Sequence, residues 1–276
     1  MTLHCGRFAL ALERPCLMGV VNVTPDSFSD GGRFLEPAAA VAQARRLVEA
    51  GAAIVDIGAE SSRPGAAAVS EAEELHRLLP VLAALQDLPV PISVDTRRSG
   101  VMRAALDAGA SMINDIDALT APGALAAVAR RDCAVCLMHK KGDPATMQAA
   151  PRYADVVGEV KAFLAARIAA AEAAGIARAR IVADVGFGFG KTVAHNLTLL
   201  ARLAEFASLG VPLAAGLSRK STLGQITGRP VGDRLAASLA AALLAVQGGA
   251  KILRVHDVAE TRDALALWQA VQDERT

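Results

Sequence analysis

Short apolar runs alternate with longer segments of helical spacing along nearly the whole chain. The runs are LMGVVNV (17–23), AIVDIG (53–58), PISVDT (91–96), SMINDI (111–116), CAVCLMH (133–139), RIVADVG (180–186), PLAAGLS (212–218) and KILRVHD (251–257). They are apolar over most of their length without clean alternation, the pattern of parallel strands buried on both faces. Between them the spacing predicts helices. PAAAVAQARRLVEAG (37–51) and SEAEELHRLLPVLAAL (70–85) carry apolar stripes, and Ser70 with Glu73 reads as a capping box. Further helices are expected over RSGVMRAALDAG, PGALAAVARR, VVGEVKAFLAARIAAAEAAG, NLTLLARLAEFASLG, DRLAASLAAALLAVQGG and VAETRDALALWQAVQDE.

Eight strands and eight helices in strict alternation predict one α/β domain over residues 1–276, a (β/α)8 TIM barrel. LHCGRFALAL (3–12) is left over as a short N-terminal β-hairpin closing the bottom. A doubly wound open sheet competes, but eight βα units in this length leave little room for a second domain.

In a barrel the C-terminal ends of the strands share one mouth. Those ends carry Asn22, Asp56 with Glu60 beyond it, Asp95, Asn114 with Asp115, His139, Asp184, Ser218 with Arg219 and Lys220, and Arg254 with His256. Buried Asp95, Asn114 and Asp184 are costly unless something satisfies them. A flat polar heterocycle does so, because carboxylates accept its N–H groups and an amide both donates and accepts. Lys220 is then available to a ring carbonyl or nitrogen. Arg63, Arg254 and His256 suit an oxyanion, since a guanidinium fork matches phosphate geometry.

Composition narrows the partners. Twenty-nine basic residues against twenty-eight acidic ones leave no global field for nucleic acid, and 3% aromatics offer little to stack bases on. Arg7 and Glu13 interrupt the apolar residues of the N-terminus, and no run has the length of a membrane span. A cytoplasmic protein with no membrane partner is therefore expected. Cys133 and Cys136 form a CxxC, but three residues apart on a strand they face opposite sides, so buried thiols are expected rather than zinc or a disulfide. The loop GFGFGKT (186–192) looks like a phosphate cradle, yet Val185 stands where a Walker A motif needs glycine. No cysteine–histidine set has zinc spacing. Asn22 together with a ligand's phosphate oxygens instead suits Mg²⁺. The turn-rich segments TPDSFSDGGRF (24–34) and ESSRPGAAAVS (60–70) leave the same barrel end and are candidates for closing over a substrate.

VNVTPDSFSDGG, GAESSRPGA, SVDT, INDI, LMH, DVGFGFGKT, SRKS and RVHDV, in this order, resemble the dihydropteroate synthase family over residues 17 to 258. The resemblance implies condensation of 6-hydroxymethyl-7,8-dihydropterin diphosphate with 4-aminobenzoate. It implies a pterin pocket of Asp95, Asn114, Asp184 and Lys220, and a diphosphate site of Asn22 with Mg²⁺, Arg63, Arg254 and His256. It implies an aminobenzoate pocket of Thr24, Pro25, Phe28, Ser62, Arg63, Pro64, Phe189, Ser218 and Lys220, with Asp95, Lys220, Arg63 and His256 closest to the chemistry. A homodimer is implied as well. The chain departs from the family's usual pattern at Val185 (commonly Pro), at Ser62 (commonly Thr), and at Lys140 and Lys141 (commonly Met-Gln). Two alternatives share the barrel: an inactive pterin-binding paralogue, and a methyltetrahydrofolate:corrinoid protein methyltransferase. The second has no use for a diphosphate site.

Overall fold

The computed structural model describes residues 1–23, 36–60, 69–143 and 146–274. Ten strands are present among them. β1 (Thr2–Cys5) and β2 (Phe8–Ala11) pair antiparallel as the expected hairpin, Leu3 opposite Leu10. The other eight are β3 (Cys16–Asn22), β4 (Ile54–Gly58), β5 (Ile92–Asp95), β6 (Met112–Asp115), β7 (Ala134–Met138), β8 (Ile181–Asp184), β9 (Leu213–Ala215) and β10 (Ala250–Val255). They run parallel in sequence order and close where β10 pairs with β3, Arg254 opposite Met18. This is the (β/α)8 barrel that the alternation predicted.

Around it lie α1 (Glu36–Glu49), α2 (Glu71–Ala84), α3 (Ser99–Asp107), α4 (Ala124–Ala129), α5 (Val156–Ala173), α6 (Val193–Ala201), α7 (Ser221–Thr227), α8 (Leu235–Gln247) and α9 (Val258–Asp273). The short α7 stands between β9 and α8, where the apolar pattern gave no helix. The helix expected over 196–210 instead begins at Val193 and ends at Ala201, and a 3₁₀ segment follows (Leu203–Leu209). Its buried residues are Leu203, Phe206 and Leu209, three apart, so a three-residue turn puts all of them on one face. The Ser70 cap forms: its Oγ accepts from Glu73 N–H at 3.2 Å. The reciprocal half of the box does not appear, because Glu73 pairs with Arg77 at 2.8 Å. The full box sits on α6, between Thr192 and His195.

Two apolar layers follow from the two faces of each strand. The outer layer joins Val55, Ile57, Ile113, Leu137 and Ala183 to the helices. The inner layer fills the bore with Met18, Ile54, Met112, Cys136, Val182, Ala214 and Ile252. The hairpin adds Leu3 and Cys5, with Leu12 just beyond it, to this inner set and so plugs the lower end. Cys133 lies in the outer layer and Cys136 in the inner one, both free thiols, as strand parity required. No helix among the described residues is long and apolar enough to cross a membrane.

Candidate active site

Two residues beyond each inner-layer side chain, the same strand face reaches the mouth. Asp56 follows Ile54 in this way, Asn114 follows Met112, Asp184 follows Val182 and Arg254 follows Ile252. Apolar below and polar above, the bore is a closed floor under a polar mouth. The residues of opposite parity turn outward and leave the mouth. Asp115 accepts from the N–H groups of Asp117 and Leu119, both at 2.8 Å. His139 packs edge-on against Phe163 of α5 at 5.0 Å, so β7 contributes no polar strand-end group to the mouth, contrary to the expectation for His139.

Arg254 is the centre of what remains. Its Nε donates to Asp56 Oδ2 at 2.6 Å and its Nη2 to Asp95 Oδ2 at 3.0 Å. Asn114 Nδ2 donates to the same Asp56 oxygen at 3.1 Å, while Asp56 Oδ1 is buried with no hydrogen bond. The sequence singled out Asp95 and Asn114 without Asp56, which proves to be the fully buried group that links Asn114 to Arg254. Burial pushes Asp95 up to about 7 against the pull of Arg254, with Asp56 adding repulsion. Arg254 itself is raised despite burial, by Asp56 and Asp95, and stays a cation. The arginine expected at the diphosphate and the carboxylate expected at the heterocycle are therefore in direct contact.

Asp184 and Lys220 flank this group. Asp184 accepts the N–H of Gly186 at 2.7 Å, and burial raises its pKa although Lys220 lies near. Lys220 enters from the turn before α7, donates to the carbonyl of Phe187 and sits 4.6 Å from the ring centroid of Phe189. Burial lowers it to about 8. At the rim Ser218 Oγ lies 3.1 Å from His256 Nδ1 and accepts from the His256 backbone N–H at 3.2 Å. Asn22 ends β3 half-buried, opposite Gly58. Thr24, Pro25, Phe28, Ser62, Arg63 and Pro64 lie outside the described residues.

The glycine-rich loop has a different reason for its glycines than an anion. At φ +69° a Cβ on Gly186 would overlap the carbonyl oxygen of His139, and one on Gly190 (φ +63°) would overlap that of Lys141. The loop is pressed against the end of β7, and its lysine, Lys191, points inward with 3% exposure. Gly186→Ala is expected to lose about 2–3 kcal/mol by clash and left-handed strain together. Urea unfolding measures this, and a loss below about 0.5 kcal/mol would refute the close approach. The departures from the family pattern also resolve locally. Val185 is fully buried in the outer layer. Lys140 pairs with Asp117 at 2.6 Å, and Lys141 pairs with Glu159 at 3.0 Å over the ring of Tyr153, so both added charges are offset by partners there.

A half-buried guanidinium between two carboxylates, with an amide, a further carboxylate and a lysine beside it, suits a polar heterocycle carrying an anionic group. Residues 18–256 match the family model described as pterin binding enzyme. The dihydropteroate synthase of Haemophilus influenzae is 49% identical over 271 residues, covering 98% of both chains. The dihydropteroate synthase of Xanthomonas albilineans, solved with 4-aminobenzoic acid, is 56% identical, with 98% of each chain covered and a TM-score of 0.94. The same enzyme solved with 7,8-dihydropteroate matches at 50% identity and a TM-score of 0.88, again over 98% of both chains. The chain belongs to the dihydropteroate synthase family of pterin-binding enzymes.

Proposed function

We propose that this chain condenses 6-hydroxymethyl-7,8-dihydropterin diphosphate with 4-aminobenzoate, giving 7,8-dihydropteroate and pyrophosphate, and that residues 1–276 act as one domain. The carrying observation is the Asp56–Arg254–Asp95 ion-pair chain at the mouth, flanked by Asn114, Asp184 and Lys220. In this reading the pterin ring lies against Asp95, Asn114, Asp184 and Lys220, donating its N–H groups to the carboxylates. Arg254 spans from the ring to the diphosphate, and Arg63, His256 and Asn22 complete the anion site. Charge gathers on the departing diphosphate oxygens, where the arginines hold it. The cation left on the exocyclic carbon is delocalised by the ring and favoured by ionised Asp95. The neutral arylamine then attacks, positioned by Phe189, Ser218 and Lys220 together with Thr24, Pro25, Phe28, Ser62 and Pro64. No covalent enzyme intermediate is required.

Among the described residues no three His, Cys, Asp or Glu side chains gather as a metal cage. A Mg²⁺ would therefore be held by the amide oxygen of Asn22 with ligand and water oxygens, which fits a cation that keeps few protein ligands. Bound there, it supplies charge neutralisation to the leaving diphosphate.

Pyrophosphate release from purified protein, with and without 4-aminobenzoate, tests the reading. Product only with both substrates supports it; pterin binding without turnover would favour a paralogue that binds and does not react.

We assign the protein to the cytoplasm, where its four free thiols match a reducing compartment. We also assign a homodimer, supported by large apolar side chains left exposed on α8 and α9, Leu244 at 51% and Leu267 at 70%. Leu244→Glu with Leu267→Glu is expected to shift the sedimenting species from dimer to monomer while circular dichroism is retained. A monomeric parent protein would refute the assignment.

A further inference from the structure

We propose that Lys191 is a positioning residue for the reaction: it holds the 186–191 loop from beneath, so that the carbonyl of Phe187 and the ring of Phe189 fix Lys220 at the mouth. The inference rests on the reading of Lys220 as part of the pterin site.

The geometry has two faces. On the buried face, Lys191 Nζ donates to the carbonyls of Gly186 (2.9 Å), Phe189 (3.1 Å) and His139 (3.3 Å), and lies 3.0 Å from His139 Nδ1. The lysine thus turns back under its own loop and ties it to the end of β7. Burial and the neighbouring lysine charge depress His139 to about 3, so its ring is neutral beside the lysine and adds no like charge to the clamp. On the other face, Lys220 uses Phe187 and Phe189. The carbonyls that Lys191 captures, at 186 and 189, bracket both the carbonyl and the ring that Lys220 uses. Loss of the clamp frees the span that carries Lys220.

A second fastening makes the loop and the start of α7 one body. Asn196 Oδ1 accepts the N–H of Gly188 at 2.7 Å, and its Nδ2 donates to Thr222 Oγ1 at 3.1 Å. Thr222 is two residues from Lys220. The same loop donates Gly186 N–H to Asp184, so the clamp also reaches the site's carboxylate side.

The first test needs no substrate. Full-length protein, Lys191→Met and Lys191→Arg are treated with acetic anhydride, and acetylation of Lys220 relative to Lys161 is read by peptide mass spectrometry. A rise of at least about threefold is expected in Lys191→Met, with a smaller rise in Lys191→Arg and unchanged circular dichroism. An unchanged Lys220 rate overturns the proposal. Calorimetry with dihydropterin diphosphate and Mg²⁺ then separates positioning from plain structural support. Binding is expected to weaken about tenfold in Lys191→Met, and not to weaken further when Lys191→Met is added to Lys220→Met. Losses that multiply would overturn it.

If the parent protein binds no pterin diphosphate, the functional reading falls, and the acetylation result still decides whether Lys191 positions Lys220. Should Lys191→Met fail to fold, Thr222→Val cuts the other fastening. A rise of about twofold in Lys220 acetylation is then expected, and none would overturn the proposal.

Discussion

Asp95→Asn is expected to lower kcat/KM for dihydropterin diphosphate by about 10²–10³-fold, the scale of losing one preorganised charge from a site of this kind. Two effects combine. The amide removes the negative charge that the proposed mechanism sets against the developing cation, and it leaves one arm of Arg254 without its carboxylate. The pH profile carries a sharper signature. Burial raises Asp95 to about 7, so in the free enzyme the carboxylate is protonated below that pH and ionised above it. On the proposed role, in which the ionised form acts, kcat/KM is expected to fall as pH drops through about 7. Asp95→Asn loses that acid limb. A variant that kept the limb would move the titrating group elsewhere and refute the role given to Asp95.

Arg254→Met costs about 3–5 kcal/mol of stability, because it strands two carboxylates that the fold has taken out of water. Asp56 is fully buried and already has one oxygen without a partner, so it has least freedom to adapt. The accompanying Asp56→Asn exchange is expected to return at least about half of the loss by removing the uncompensated charge. Urea midpoints for the parent, both single variants and the double variant measure this. If Arg254→Met unfolds within about 1 kcal/mol of the parent, the ion-pair chain is not what holds the upper bore together.

Much of the architecture was legible because parallel strands buried on both faces leave a distinctive record, and eight such records in 276 residues match one barrel. The hairpin was legible as what those eight strands left over, and its antiparallel strands are buried on one face only. The helix after β8 was misjudged because its apolar residues run on at a spacing that both α and 3₁₀ turns can use. Nothing apolar marked α7, which is polar except at Leu223 and Ile226.

In the site, strand-end chemistry selected Asp95, Asn114, Asp184, Lys220 and Arg254 correctly as neighbours of the mouth. It selected Asp115 and His139 wrongly, because being last on a strand does not fix which side a residue faces. A count by twos from the bore separates them: Asp56 shares the parity of Ile54, whereas His139 does not share that of Cys136. Lys191 was hidden by its motif. GFGFGKT looks outward to an anion, and only the pressed contact of Gly186 and Gly190 on β7 shows that the lysine points in. Side-chain direction in a loop has no period to read.

The ring closes between β3, made early, and β10, made last, and Arg254 lies on that last strand. Asp56 and Asp95 lie on β4 and β5 and precede their shared cation by 198 and 159 residues. Until residue 254 has emerged, a nascent partial barrel holds two acids that cannot be dried without a counter-charge. The strand that closes the ring is thus also the one that supplies the cation both carboxylates share.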